Sequence, residues 1–115
     1  ISGGVRQFSE RKLAPYRDRL AGLHAVDLDA GGPEMRLISR YDDGSELLKK
    51  TDVMALYEYE RAIGIGDSFT DINMSQAVDT VFARDVLAKY LTRLGRPFVP
   101  YETFREVTEA IQRSL

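Results

Sequence analysis

Cysteine and tryptophan are absent from these 115 residues, and histidine occurs only once. Without cysteine the chain forms no disulfide framework, no zinc-thiolate site and no thiol nucleophile, which suits a reducing cytosol and makes the cytoplasm the expected compartment. Long apolar runs are missing as well. Nothing approaches the roughly 20 apolar residues that span a bilayer, and the first residues lack the basic-then-apolar order of a signal peptide, so no membrane partner is expected. An excess of one charge is also lacking. The 16 Lys and Arg are interspersed with 18 Asp and Glu, for a formal net charge of −2. No basic stripe follows a phosphate backbone, and nucleic acid is not an expected partner. Small ligands stay open.

What is present is one domain's length of chain, without repeats, low-complexity tracts or a Pro-, Gly- or Ser-rich linker. Ile1-Ser2-Gly3-Gly4 reads as a strand end turning sharply, because paired glycines permit backbone angles other residues avoid. Val5 to Ala14 has helical composition, with Val5, Phe8 and Lys12 on one side, until Pro15 makes continuation unfavourable. Residues 23–29 and 35–41 read as two strands around Ala30-Gly31-Gly32-Pro33, a small β-hairpin. Gly44-Ser45 then opens a helix to about Leu56, with Ser45 as candidate N-cap. Arg61 to Asp67 is an apolar run ending at a glycine and an acid, as buried parallel strands do at the loop edge of a sheet. After it come a helix near 71–77, a strand at 79–83, a helix at 85–94, a strand at 97–99 and a final helix from about Glu102 to Arg113.

That alternation predicts an α/β, partial Rossmann-like, three-layer fold: a parallel sheet with helices on both faces. Such sheets bind ligands beyond the carboxyl ends of their strands, so residues just after strands are the first functional candidates. Ser2 and Asp67 occupy such positions. In Gly66-Asp67-Ser68-Phe69-Thr70-Asp71 two carboxylates four positions apart flank a strand-to-helix turn, where they can share a hard cation. Magnesium takes oxygen ligands, keeps waters and needs only one or two carboxylates plus a substrate phosphate. The ordinary alternative is that Asp71 favours a helix N-terminus and Asp67 caps a turn. Ser2-Gly3-Gly4 offers a hydroxyl and successive N–H groups, an anion cradle or a simple conformational turn. Lys49-Lys50 supplies a point charge for a phosphoryl group, or a solvated helix face. Asp27-Leu28-Asp29 imitates a paired-acid nucleophile motif, but Ala30-Gly31-Gly32 after it favours a turn. Asp42-Asp43 reads as a solvated loop, His24 as a strand residue without an acid-base partner, and Tyr90, Phe98, Tyr101 and Phe104 as packing.

Taken in order, Ile1-Ser2-Gly3-Gly4, a lysine near 50 and Gly66-Asp67-Ser68-Phe69-Thr70-Asp71 resemble motifs two, three and four of the haloacid dehalogenase superfamily of phosphatases. Val81 to Leu87 and Pro97 to Phe104 add an impression of its phosphoserine-phosphatase-like branch. The resemblance covers essentially the whole chain. It implies that Ser2, with the Gly3 and Gly4 amides, binds a phosphoryl oxygen, that Lys50, or else Lys49, neutralises nucleophile and phosphate, and that Asp67 ligates Mg²⁺ with Asp71 in support. Ser2, Lys50 and Asp67 would be the catalytic residues, and a small phosphorylated metabolite the substrate. The chemistry expected is attack by an aspartate on phosphorus and hydrolysis of the resulting aspartyl-phosphate.

The resembled family's first motif, Asp-x-Asp-x-Thr, should precede Ser2, together with a cap between the first two motifs. The expectation is therefore that residues 1–115 are the carboxyl-terminal part of such a catalytic domain, completed by an amino-terminal segment in cis or in trans, and inactive alone. A non-catalytic module that binds another polypeptide through an exposed sheet edge is the alternative. A phosphate-binding receiver-like domain is a third reading, weakened because its upstream acidic pair is missing.

Overall fold

Residues 2–6 run beside residues 24–26, although their glycines and short polar side chains build no continuous strand. A computed structural model describes residues 1–42, 44, 46 and 48–114, in two units, Ile1–Tyr57 and Glu58–Leu115. In the first unit, Ser2 N–H donates to His24 O at 2.8 Å, Val26 N–H to Gly4 O at 3.0 Å and Arg6 N–H to Val26 O at 2.7 Å. The pairing amounts to one isolated parallel bridge, Val5 with Val26. Helix α1 (Arg6–Leu13) follows, and the chain then tightens into a 3-10 turn over Ala14–Arg19 instead of being released at Pro15. Proline fits the first turn of a helix, where its missing N–H has no partner to lose. The expected apolar side of α1 buries nothing, and Phe8 is exposed.

The hairpin consists of β1 (Asp27–Asp29) and β2 (Arg36–Ile38), antiparallel, with Leu28 opposite Leu37. It is shorter than its sequence signal because Asp29 Oδ1 accepts from Gly31 N–H at 2.9 Å and closes the turn early. Helix α2 covers only Lys50–Met54 instead of the expected 44–56. Lys49 just before it is extended, and its N–H donates to Tyr41 O at 2.8 Å, so the backbone there belongs to a turn and not to a helix. Ser45, the candidate cap, and Asp43 lie outside the described residues. Val26, Leu48 and Val53 form this unit's core, with Tyr41 against them.

The second unit realises the alternation read from the sequence. Strands β3 (Ile63–Gly66), β4 (Thr80–Ala83) and β5 (Val99–Pro100) form a parallel three-stranded sheet in the order β3-β4-β5. Between them lie a 3-10 turn (Phe69–Asp71), α3 (Ile72–Ala77) and α4 (Asp85–Arg93), and α5 (Phe104–Ser114) follows β5. Side chains alternate between sheet faces with period two. Val81 and Ala83 therefore pack with Leu87 and Leu91 of α4, while Phe82, on the opposite face, packs with Tyr101 and Val107. Leu87 and Leu91 are four residues apart, as are Val107 and Ile111, so each helix presents one apolar stripe to its face of the sheet.

Gly64 and Gly66 are the small members of the β3 alternation. A Cβ at Gly64 would run into Met74 Sδ of α3, and one at Gly66 would lie 2.7 Å from the Asp71 carboxyl group. Helices cover both faces, and the fold is α/β with a partial Rossmann-like sheet and a small separate hairpin. Of the aromatics expected to pack, Tyr101 is buried and Phe98 joins the α4 cluster, but Phe104 stands exposed at the start of α5. Among the described residues no helix is long and apolar enough to cross a membrane.

Candidate functional site

The candidate residues fall into two groups, one in each unit. In the first, Ser2 sits where the chain turns into α1, and its Oγ accepts from Gly4 N–H at 3.0 Å. A hydroxyl that accepts this bond still has its proton to donate, so it can address an anionic oxygen. Close backbone approach explains the glycine at 4, where a Cβ would lie 3.1 Å from Ser2 Oγ.

Lys50, the first residue of α2, is 6% exposed. The solvated-face reading does not describe it. Lys49 instead directs its ammonium toward Asp52, 3.9 Å away on the half-exposed side of the helix. Of the two lysines, Lys50 is the buried one.

Two other polar residues weighed as candidates in this unit, Asp27 and His24, are engaged structurally. Asp27 pairs with Arg6 at 2.6 Å, and Arg6 also donates to the carbonyls of Leu23 and Ala25. His24 has a partner the sequence did not disclose: its Nε2 lies 2.6 Å from Tyr57 Oη, with the rings edge to face. Burial first, and then the Arg6 charge, lower the His24 pKa and favour the neutral imidazole.

In the second unit the turn after β3 brings Asp67 and Asp71 together. Asp71 is buried, and its Oδ2 accepts from Asp67 N–H at 3.0 Å, Ser68 N–H at 3.2 Å and Ser68 Oγ at 3.4 Å. Ser68 and Asp71 thus form a capping box at the 3-10 turn, which uses a carboxylate to satisfy amides at a helix start. Asp67 does not cap. Its side chain is 50% exposed at the carboxyl end of a parallel strand, its backbone fixed by Asp71 while its carboxylate faces solvent.

Beside Asp67 stand residues that were not singled out as site candidates. Arg84 directly follows β4, and Tyr101 directly follows β5. Arg84 Nη2 lies 3.9 Å from Asp67 Oδ2, and its guanidinium lies 5.5 Å from the Tyr101 ring. Tyr101 Oη donates to Gly66 O at 3.4 Å. Burial raises the Tyr101 pKa, Arg84 opposes the rise, and Asp67, Asp71 and Asp85 add to it, so the phenol stays a donor at neutral pH. The rule that pointed to Asp67, ligands beyond the carboxyl ends of strands, points equally to Arg84 and Tyr101 once it is applied to every strand. An open groove of about 780 Å³ runs alongside, lined in part by Phe82, Arg84, Tyr101, Glu106 and Arg113.

No family model matches the chain. It is 36% identical over 111 residues to the 2-hydroxy-3-keto-5-methylthiopentenyl-1-phosphate phosphatase of Microcystis aeruginosa (strain NIES-843 / IAM M-2473), covering 95% of this chain and 53% of that protein. The enzyme of the same name from Lysinibacillus sphaericus (strain C3-41) is 28% identical over 123 residues, covering 97% of this chain and 54% of the relative. A third, from Geobacillus kaustophilus (strain HTA426), is 45% identical over 49 residues, 43% of this chain and 22% of its own length. The chain spans about half the length of the relatives it matches from end to end, and each of those relatives bears the name of a phosphatase.

Proposed function

We propose that this chain supplies the phosphate-gripping and metal-holding part of a Mg²⁺-dependent phosphomonoester hydrolase of the haloacid dehalogenase type, in its phosphoserine-phosphatase-like branch. The attacking aspartate and the general acid would come from an amino-terminal segment, in cis or in trans. The carrying observation is Asp67, an exposed carboxylate at the end of a parallel strand whose backbone is held by the buried Asp71. The relatives' shared name supports the substrate class, a small phosphorylated metabolite of the 2-hydroxy-3-keto-5-methylthiopentenyl-1-phosphate type.

The residues present suit magnesium. Among the described residues no three His, Asp or Glu side chains converge, but this ion needs only one or two carboxylates, because waters and a substrate phosphate complete its oxygen shell. Asp67 would hold it directly. Asp71, whose Oδ2 is committed to the turn amides, would support it by fixing Asp67. When bound, the ion would neutralise charge on the transferring phosphoryl group. Ser2 would donate its hydroxyl proton in a hydrogen bond to a phosphoryl oxygen, with the Gly3 and Gly4 N–H groups beside it. Lys50 would neutralise the nucleophile and the phosphate. Desolvation strengthens its attraction for an anion relative to a lysine in water.

The test is hydrolysis of an aryl phosphate by the full-length protein with and without Mg²⁺. Asp67→Asn is expected to lower the rate by roughly a thousandfold, the scale of several kcal/mol of charge stabilisation. Metal-independent turnover, or an unaltered rate in Asp67→Asn, would remove the assignment.

A second reading has one observation in its favour: β3 is an edge of the described sheet, and Ile63 and Ile65 are 37% and 38% exposed along it. A polypeptide-binding module would use that edge to pair with a strand of another protein. Sedimentation of the full-length protein with its copurifying partners, alongside the aryl phosphate assay, separates the readings. The module predicts a stable heteromeric complex without turnover.

A further inference from the structure

Three strand ends are laced together around Arg84. Its N–H donates to Gly66 O at 3.3 Å, and Leu87 N–H donates to Asp67 O at 3.2 Å, which joins the turn after β4 to the turn after β3. Between those two donors sits Asp85 with φ +53°, a left-handed conformation that a non-glycine residue keeps only where its surroundings enforce it. The Arg84 side chain is held from three directions. Nη1 donates to Glu102 O at 2.8 Å, the guanidinium lies over the Tyr101 ring at 5.5 Å, and Nε is 3.6 Å from Asp85 Oδ2. From that perch Nη2 reaches to 3.9 Å from Asp67 Oδ2.

The magnitudes decide what this arrangement does. An ion pair at 3.9 Å between two half-exposed groups is too weak to immobilise an arginine by itself. The carbonyl of Glu102 and the ring of Tyr101, with Asp85 Oδ2 beside Nε, are therefore what fix the cation, and its approach to Asp67 follows from theirs. Fixed in this way, the charge stays near Asp67 when a second cation arrives, whereas a free arginine would swing away. A unit charge held a few ångströms from a divalent ion lowers its affinity, and it attracts a phosphate dianion arriving at the same place.

Building on the reading of Asp67 as a metal ligand, we infer that Arg84 is a positioning residue, a fixed counter-cation that keeps divalent metal binding at Asp67 weak until a phosphorylated ligand joins it. Metal and anion then bind cooperatively, because the anion screens the repulsion between metal and guanidinium. Tyr101 serves the same end from β5, carrying the guanidinium on its ring and holding Gly66 O with its hydroxyl.

The experiment measures Mn²⁺ binding to the full-length protein by the electron paramagnetic resonance signal of free Mn²⁺, with and without inorganic phosphate, and needs no turnover. Arg84→Gln, which keeps a donor for Glu102 O but no charge, is expected to bind Mn²⁺ alone about three- to tenfold more tightly at low salt, the gap closing as ionic strength rises. Phosphate should tighten Mn²⁺ binding less in Arg84→Gln than in the unsubstituted protein, and Arg84→Lys should restore most of that coupling. Circular dichroism establishes that each variant is folded, and Arg84→Met carries the same expectation if Arg84→Gln is not. A folded, uncharged variant that binds Mn²⁺ equally or more weakly, with phosphate coupling unchanged, overturns the inference. Asp67→Asn separates the two levels. If it binds Mn²⁺ as the unsubstituted protein does, the metal-ligand reading falls; if it loses binding while Arg84→Gln matches the unsubstituted protein, only the role of Arg84 falls.

Discussion

The turn that carries Asp67 and the turn that carries Ser2 solve the same problem, holding a polar group at the end of an extended segment, with different materials. Asp67 is held by a buried carboxylate that accepts two backbone amides, behind a strand whose neighbour β4 packs against helices on both faces. Ser2 is held by single backbone bonds and its own contact with Gly4, in a unit whose helices and strands are short and whose α1 buries no side chain. The difference matches what each group would have to do. A metal ligand works from a fixed carboxylate, whereas a hydroxyl donor must rotate to meet whichever oxygen is presented.

Equal truncations in the two cores should expose this contrast most strongly. Leu87 is 0% and Leu48 2% exposed, so Leu→Ala removes the same buried atoms from each. Leu87 is wedged between sheet and helix, where the surroundings cannot collapse. Leu87→Ala is expected to cost about 4 kcal/mol, against about 2.5 kcal/mol for Leu48→Ala, whose neighbours lie on short elements that can relax into the space. Urea unfolding followed by circular dichroism measures both. Equal losses, or the larger loss at Leu48, would break the comparison.

The turns themselves give a smaller effect in the same direction. Asp71→Ala leaves the N–H groups of Asp67 and Ser68 without their carboxylate acceptor, at a cost of about 2 to 3 kcal/mol. Asp71→Asn keeps one oxygen and should lose less. Ser2→Ala removes an acceptor from an exposed amide that water can reach, and should cost under about 1 kcal/mol. Thermal unfolding of the three variants ranks them, and a Ser2→Ala loss as large as that of Asp71→Ala would mean that the two turns are equally rigid.

Legibility followed the same division. The βαβ alternation of residues 61–113 was readable because short apolar runs end at Gly-Asp or before helical stripes, and the boundaries moved by only a few residues. Periodicity alone cannot show that the Lys49 N–H turns back to Tyr41 and that the described helix begins only at Lys50. Burial of Lys50 was invisible for a related reason. The aliphatic stem of a lysine looks like any surface residue until tertiary neighbours enclose it. His24 and Tyr57 are 33 positions apart, beyond the reach of local pattern. Arg84 and Tyr101 were legible in principle, since they follow β4 and β5 as Asp67 follows β3. They escaped because their residue types suggest packing or a solvated surface before they suggest a site.

The last comparison concerns the start of α5 and shows that the second unit also uses a surface carboxylate as a cap. Glu106 Oε2 accepts from Glu102 N–H at 2.6 Å and Thr103 N–H at 3.2 Å, while Thr103 Oγ1 accepts from Glu106 N–H at 3.3 Å, a reciprocal cap. Thr103→Ala should cost about 1 kcal/mol. These amide bonds hold the Glu106 carboxyl below its ordinary range. A carboxylate depressed in the folded state binds fewer protons than in the unfolded chain. Its contribution is therefore complete above the ordinary glutamate pKa of 4.5 and is lost as pH falls through the lower folded value. Stability measured from pH 6 down to pH 3 should accordingly fall less steeply in Glu106→Gln than in the unsubstituted protein, with the two curves separated most at neutral pH and converging in acid. Because Glu106 is exposed, added salt should narrow that separation. Parallel curves across the acid range would show that the cap works through its amide geometry alone and that its charge adds nothing.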